Sequence, residues 1–169
     1  MFKDCTNLIR SDKLSLPTNT SYEGYSNFFK GCTSLITAPK LPATTLLDGC
    51  YAYMFNGCTS LTKAPDILTD NVGRFSCEAM FANCSSLVNS PKIPTISTAK
   101  HSCFECMFAE CTSLVNAPSL PATTVAGECY RQMFKGCTSL TIAPDLPAST
   151  AVIADSYGTS TYENNHCYY

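Results

Sequence analysis

The sequence predicts an α/β repeat solenoid, with short parallel strands on a concave face and short helices on a convex one. Two observations carry this expectation. An aromatic-to-cysteine motif recurs as Met1-Phe2…Cys5, Phe28-Phe29…Cys32, Met54-Phe55…Cys58, Met80-Phe81…Cys84, Met107-Phe108…Cys111 and Met133-Phe134…Cys137, with cysteine spacings of 27, 26, 26, 27 and 26 residues. Each motif is followed by a leucine three residues on, at Leu8, Leu35, Leu61, Leu87, Leu114 and Leu140. Self-similarity at a fixed period of this size is the signature of stacked units, none of which can bury its apolar face alone.

Each copy divides into three pieces. In the first, apolar residues at Cys77, Met80, Phe81 and Cys84 fall at i, i+3, i+4 and i+7, which is helical spacing. The residue before the motif cysteine is Asp4, Gly31, Gly57, Asn83 or Gly136, types that tolerate the left-handed conformation closing a helix. Glu110 breaks that pattern.

The second piece, such as Leu35-Ile36-Thr37-Ala38, reads as a short strand. It is cut off by Pro39, Pro65, Pro91, Pro118 or Pro144, which cannot donate to a ladder. The third piece, such as Pro42-Ala43-Thr44-Thr45-Leu46, returns the chain to the next copy.

The array is expected to form a single domain over 1–169, with copies near 1–27, 28–53, 54–79, 80–106, 107–132 and 133–169. The last copy holds about twelve extra residues between Pro147 and Cys167, an irregular insertion. Both ends of the chain fall inside the same piece, so a longer array is expected, and cut ends would expose apolar faces able to pair end to end.

These motifs resemble the BspA-like leucine-rich repeats of surface proteins from host-associated bacteria and some protists. Gly57-Cys58-Thr59-Ser60-Leu61 and Gly136-Cys137-Thr138-Ser139-Leu140 match that family's Gly-Cys-x-x-Leu, and Met54-Phe55 and Met133-Phe134 stand where its Ala-Phe is expected. The longer period and the second proline depart from it. The resemblance implies a right-handed leucine-rich-repeat superhelix and a secreted or cell-surface protein. It also implies a non-catalytic adhesion or protein-binding role toward protein or glycan ligands on host or bacterial surfaces. Similar arrays occur in phage-associated proteins, so a passive spacer or virion component is the alternative.

Composition narrows the classes further. Charged residues make up 14%, the net charge is −2, and the 11 Lys and Arg form no run that could track a phosphate backbone. Nucleic-acid binding is not expected. No apolar stretch approaches the ~20 residues of a membrane span, and no signal peptide is visible at Met1-Phe2-Lys3-Asp4-Cys5.

Twelve cysteines would suit a disulfide scaffold. Six of them repeat as one column, however, and Cys50, Cys77, Cys103 and Cys129 read as a second, so packed thiols are expected, with occasional disulfides as the alternative. His101, Cys103, Cys106 and Cys111 are a weaker zinc candidate. No catalytic grouping and no cofactor site is expected: the only histidines, His101 and His166, lie far apart in the array.

Positions that vary while the frame stays constant are the expected contact residues. Before each proline step stand Thr37, Lys63, Asn89, Asn116 and Ile142. Between the paired prolines, or at the equivalent position, stand Lys40, Asp66, Lys92, Ser119 and Asp145. Tyr157 and Tyr162, in the irregular C-terminal stretch, are rival contacts.

Overall fold

A computed structural model describes residues 1–120, 122–145 and the backbone of 151–153. Successive copies stack on one another, and the rings of Phe2, Phe29, Phe55, Phe81, Phe108 and Phe134 lie in one file. Neighbouring centroids are 5.4–5.9 Å apart with interplanar angles of 2–7°. The leucine that follows each motif lies beside this file, with Leu35, Leu61, Leu87 and Leu114 fully buried.

The helices expected on the convex face are absent: no α-helix occurs among the described residues. The protein is therefore not an α/β solenoid, and the leucine-rich-repeat superhelix with a helical outer face is likewise overturned. In place of each helix the backbone forms a chain of tight turns. In the copy around Phe55, the amides of Cys50, Ala52, Met54, Asn56 and Cys58 each donate to the carbonyl three residues back. The intervening amides of Gly49, Tyr51, Tyr53, Phe55 and Gly57 donate instead to Arg74, Ser76, Glu78, Met80 and Ala82 of the next copy, at 2.8–2.9 Å. The even-numbered carbonyls, from Cys50 to Asn56, accept from the preceding copy. The segment thus satisfies its backbone groups alternately within and between copies.

Residues with left-handed φ recur every fourth position in this ribbon. They are Glu23, Asn27 and Gly31; Gly49, Tyr53 and Gly57; Phe75, Ala79 and Asn83; Ser102, Cys106 and Glu110; Glu128, Gln132 and Gly136. Each is the third residue of a turn, where a type II turn needs φ above zero. The apolar spacing that reads as helix is explained by this geometry. Buried pairs Cys50-Tyr51 and Met54-Phe55, followed by Cys58, recur every four residues, too close to the helical 3.6 to be told apart over so short a segment.

Glu110 adopts φ 61° like the glycines in its column, because its amide donates to the Lys135 carbonyl at 2.7 Å. A side chain in this region costs about 1–2 kcal/mol, against about 0.5–1 kcal/mol of added chain entropy when glycine replaces it. Since Glu110 is exposed, Glu110→Gly should stabilise the protein by about 0.5–1 kcal/mol. Gly57→Ala should destabilise it, because Gly57 has φ 75° and an added Cβ would meet nothing closer than 3.7 Å, leaving backbone strain as the main cost. Urea midpoints of the two variants moving in the same direction would contradict this account.

The strand expectation is also corrected. At the leucine piece, copies are joined by single parallel bridges that run Arg10, Thr37, Lys63, Asn89, Asn116. The proline two residues after the bridge ends the pairing. Longer pairing occurs on the return stretch: β1 (Thr98–Ala99), β2 (Thr124–Ala126) and β3 (Ala151–Ile153) form a parallel sheet in the order β1-β2-β3. An equivalent bridge joins Leu46 and Val72. Threonine and valine suit a half-buried extended chain there, and no proline interrupts the paired residues.

The first cysteine column is buried from Cys32 to Cys137. Its thiols do more than fill space. Cys58, Cys84, Cys111 and Cys137 donate to the carbonyls of Phe29, Phe55, Phe81 and Phe108 in the preceding copies, at 3.1–3.2 Å. The second column differs from the expected one by a single register step. Ser76, not Cys77, shares the file of Cys50, Cys103 and Cys129, as the cross-copy bonds Tyr25→Cys50, Tyr51→Ser76, Cys77→Cys103 and Phe104→Cys129 establish. Cys77 stands in the neighbouring ring column, between Tyr51 and Phe104.

Candidate interaction surface

The bridge file at Arg10, Thr37, Lys63, Asn89 and Asn116 fixes one surface, because the backbone partner of each residue is its counterpart in the next copy. Lys63, Asn89, Asn116 and Ile142 are exposed, and Thr37 is half-buried. Lys40, Asp66, Lys92, Ser119 and Asp145 are exposed as well. The structure therefore places nine of the ten expected contact residues in solvent, and Tyr157 and Tyr162 lie outside the described residues.

Side chains along these files bond to one another. The Asn116 amide donates to Asn89 Oδ1 at 2.9 Å, and the Thr37 hydroxyl reaches Asp12 Oδ1 at 3.4 Å. Asp66 Oδ1 accepts the Lys92 backbone amide at 2.9 Å. Arg10 pairs with Asp12 at 3.1 Å, and its guanidinium hydrogen bond holds the Asp12 carboxyl below the ordinary carboxylate range. Such order limits side-chain freedom before any partner arrives, which lowers the entropy lost on binding.

A file the sequence reading passed over stands one residue before the bridges. Ile9, Ile36, Val88 and Val115 are exposed apolar side chains, 55%, 46%, 42% and 42% accessible, and Thr62 and Thr141 continue the column. The signal was present: each is a β-branched residue directly after the repeated leucine. The surface therefore sets a β-branched apolar file beside a polar one.

On the turn ribbon lies a second polar cluster. The Tyr53 hydroxyl donates to Glu78, and Arg131 bridges Glu105 at 3.2 Å and Glu128 at 3.5 Å. Burial raises the Glu105 carboxyl above its ordinary value. Lys30 sits 5.1 Å from the centroid of the Tyr53 ring.

The residues of the zinc candidate do not converge. Cys111 donates to Phe81, Cys106 reaches toward Gln132 at 3.9 Å, and Cys103 faces Cys129. Among the described residues no three His, Cys, Asp or Glu side chains gather as a metal site. Burial pushes the Cys50 and Cys137 thiols up to about 11 and those of Cys58 and Cys111 to about 12. Thiols so held are protonated at neutral pH and are not nucleophiles.

No helix of the described residues is long and apolar enough to cross a membrane. Comparison with protein-family models, curated proteins and solved structures finds no match to this chain.

Proposed function

We propose that this chain is a non-catalytic display module that binds a protein or glycan ligand along its bridge file. One observation carries the reading. The positions that differ from copy to copy, Thr37, Lys63, Asn89 and Asn116, are aligned by direct backbone pairing, whereas the repeated positions are buried. A frame that is constant inside and varied outside separates the work of folding from that of recognition.

The protonated thiols support a non-catalytic role. The sequence resemblance supports a cell-surface or secreted setting for an adhesive contact of this kind. The test is a panel of host matrix proteins, glycans and bacterial surfaces, probed with the native chain and with a Lys63→Ala/Asn89→Ala/Asn116→Ala variant. Selective binding lost at least about tenfold in the variant, the size expected when a central contact group is truncated, is the expected result. Binding that is unchanged in the variant would remove the bridge file as the site.

A second reading has its own support. The unbroken ring file suits a passive spacer, including one within a virion. An empty panel favours this reading over the first.

A further inference from the structure

We infer that Cys103 and Cys129 are a latent cross-link between two adjacent copies, closed to a disulfide by a low-molecular-weight disulfide oxidant. Their sulfurs are 3.6 Å apart, at van der Waals contact, and both residues are fully buried. They occupy equivalent places in consecutive copies, and the Phe104 amide donates to the Cys129 carbonyl at 3.1 Å. That pairing sets the copies about 4.8 Å apart, and disulfide-linked α-carbons lie about 4.4–6.8 Å apart.

Among the described residues, the surroundings set this pair apart. In the other cysteine column the thiols from Cys58 to Cys137 are committed to phenylalanine carbonyls. In the column of Cys103 itself, Ser76 separates it from Cys50, so among the described residues the register that puts Cys77 aside leaves Cys103 and Cys129 as the adjacent sulfurs. Cys106, which completes a Cys-x-x-Cys with Cys103, is turned toward Gln132.

The chemistry balances without another reagent. One cysteine thiolate attacks the small disulfide, forming a mixed disulfide and releasing one small thiol. The second cysteine then attacks the protein sulfur of that mixed disulfide and expels the other small thiol. Two protein thiols are oxidised, one small disulfide is reduced to two thiols, and the two protons end on the released thiols. Because both sulfurs are buried, the exchange takes place in the locally opened or folding chain, and stacking then brings the pair together. The product closes a loop of 26 residues in sequence, restricting the unfolded chain.

The experiment uses the whole chain in a series of glutathione and glutathione-disulfide buffers, quenched with acid and denatured before the free thiols are alkylated. Digestion after Lys, Arg and Glu separates His101–Glu105 from Cys129–Arg131, so a bond between them is read directly by mass spectrometry. The expected result is the linked pair as the main disulfide, with alkylation of both peptides reduced about tenfold from the reduced protein. Thermal unfolding should rise by several degrees on oxidation, and the rise should vanish in Cys103→Ser. Serine is accommodated in this column already, at Ser76. The inference is overturned if both peptides remain alkylated at every buffer ratio, or if Cys103 is found joined to Cys106.

Discussion

Phe81→Ala should cost about 3–5 kcal/mol of stability, the range for emptying a buried phenylalanine site. Phe81 is fully buried and stacks on Phe55 at 5.5 Å and on Phe108 at 5.8 Å. Each such contact adds about 0.5–1.5 kcal/mol beyond area burial. Its carbonyl also accepts the Cys111 thiol, so the position joins three copies. Phe2→Ala should cost about 1–2 kcal/mol, because Phe2 is half-buried and has one neighbour in the ring file. In a chain held by nearest-neighbour contacts, removal of the middle ring should also broaden the denaturant transition. Equal losses at Phe2 and Phe81, or a loss at Phe81 below about 1 kcal/mol, would show that the ring file is not what binds the copies together.

Alkaline unfolding should be the second large effect. Cys58 and Cys111 have thiols pushed up to about 12 by burial, against 9.0 for a free thiol. The folded state therefore holds protons that the unfolded state releases. The stabilisation from this difference is complete below the unfolded value and is lost as pH rises from about 9 towards about 12. Each thiol contributes about 1.4 kcal/mol per pH unit over that window, so these two alone remove about 3 kcal/mol per unit. Cys77 and Cys84, fully buried and raised well above 9.0, act in the same direction. Over about two units above pH 9 the Cys58 and Cys111 thiols remove about 5 kcal/mol, enough to unfold a domain at the low end of the ~5–15 kcal/mol range. Urea midpoints measured under reductant from neutral pH upward should fall steeply past that point. A midpoint that stays level past that point would contradict the assignment.

The period and the buried positions of this chain were legible in its residues. Phenylalanine, leucine and cysteine recur at fixed offsets because the same core sites recur, and from Phe29 to Leu114 those sites are fully buried in the structure. The left-handed residues before the motif cysteine were legible too, although they belong to turns and not to helix ends. The turn ribbon was not. Its repeat of four residues leaves nearly the same apolar pattern as a helix, and the distinguishing feature, an amide that donates to the next copy, has no side-chain signature. Tyr53, Phe75 and Ala79 adopt positive φ without being residues that favour it, because the cross-copy bonds on either side hold them there.

The shift at Cys77 was hidden for a related reason. Alignment by residue type places a cysteine under a cysteine, whereas the backbone pairing places Ser76 there. For the candidate surface, the ten variable positions were found by comparing copies, and the structure adds what that comparison could not reach. Ile9, Ile36, Val88 and Val115 look like core residues by composition and are in fact outside.

The alternation of backbone bonds also bears on how the protein responds to mechanical load. If the turn ribbon of each copy were a helix, its amides would be spent within that helix, and tension along the stack would fall on side-chain contacts there. Here the cross-copy amides, such as those of Gly49, Tyr51, Tyr53, Phe55 and Gly57, share that tension along the turn ribbon, while the single bridges and β1–β3 share it at the other pieces of each copy. Stretching must break many short bonds together.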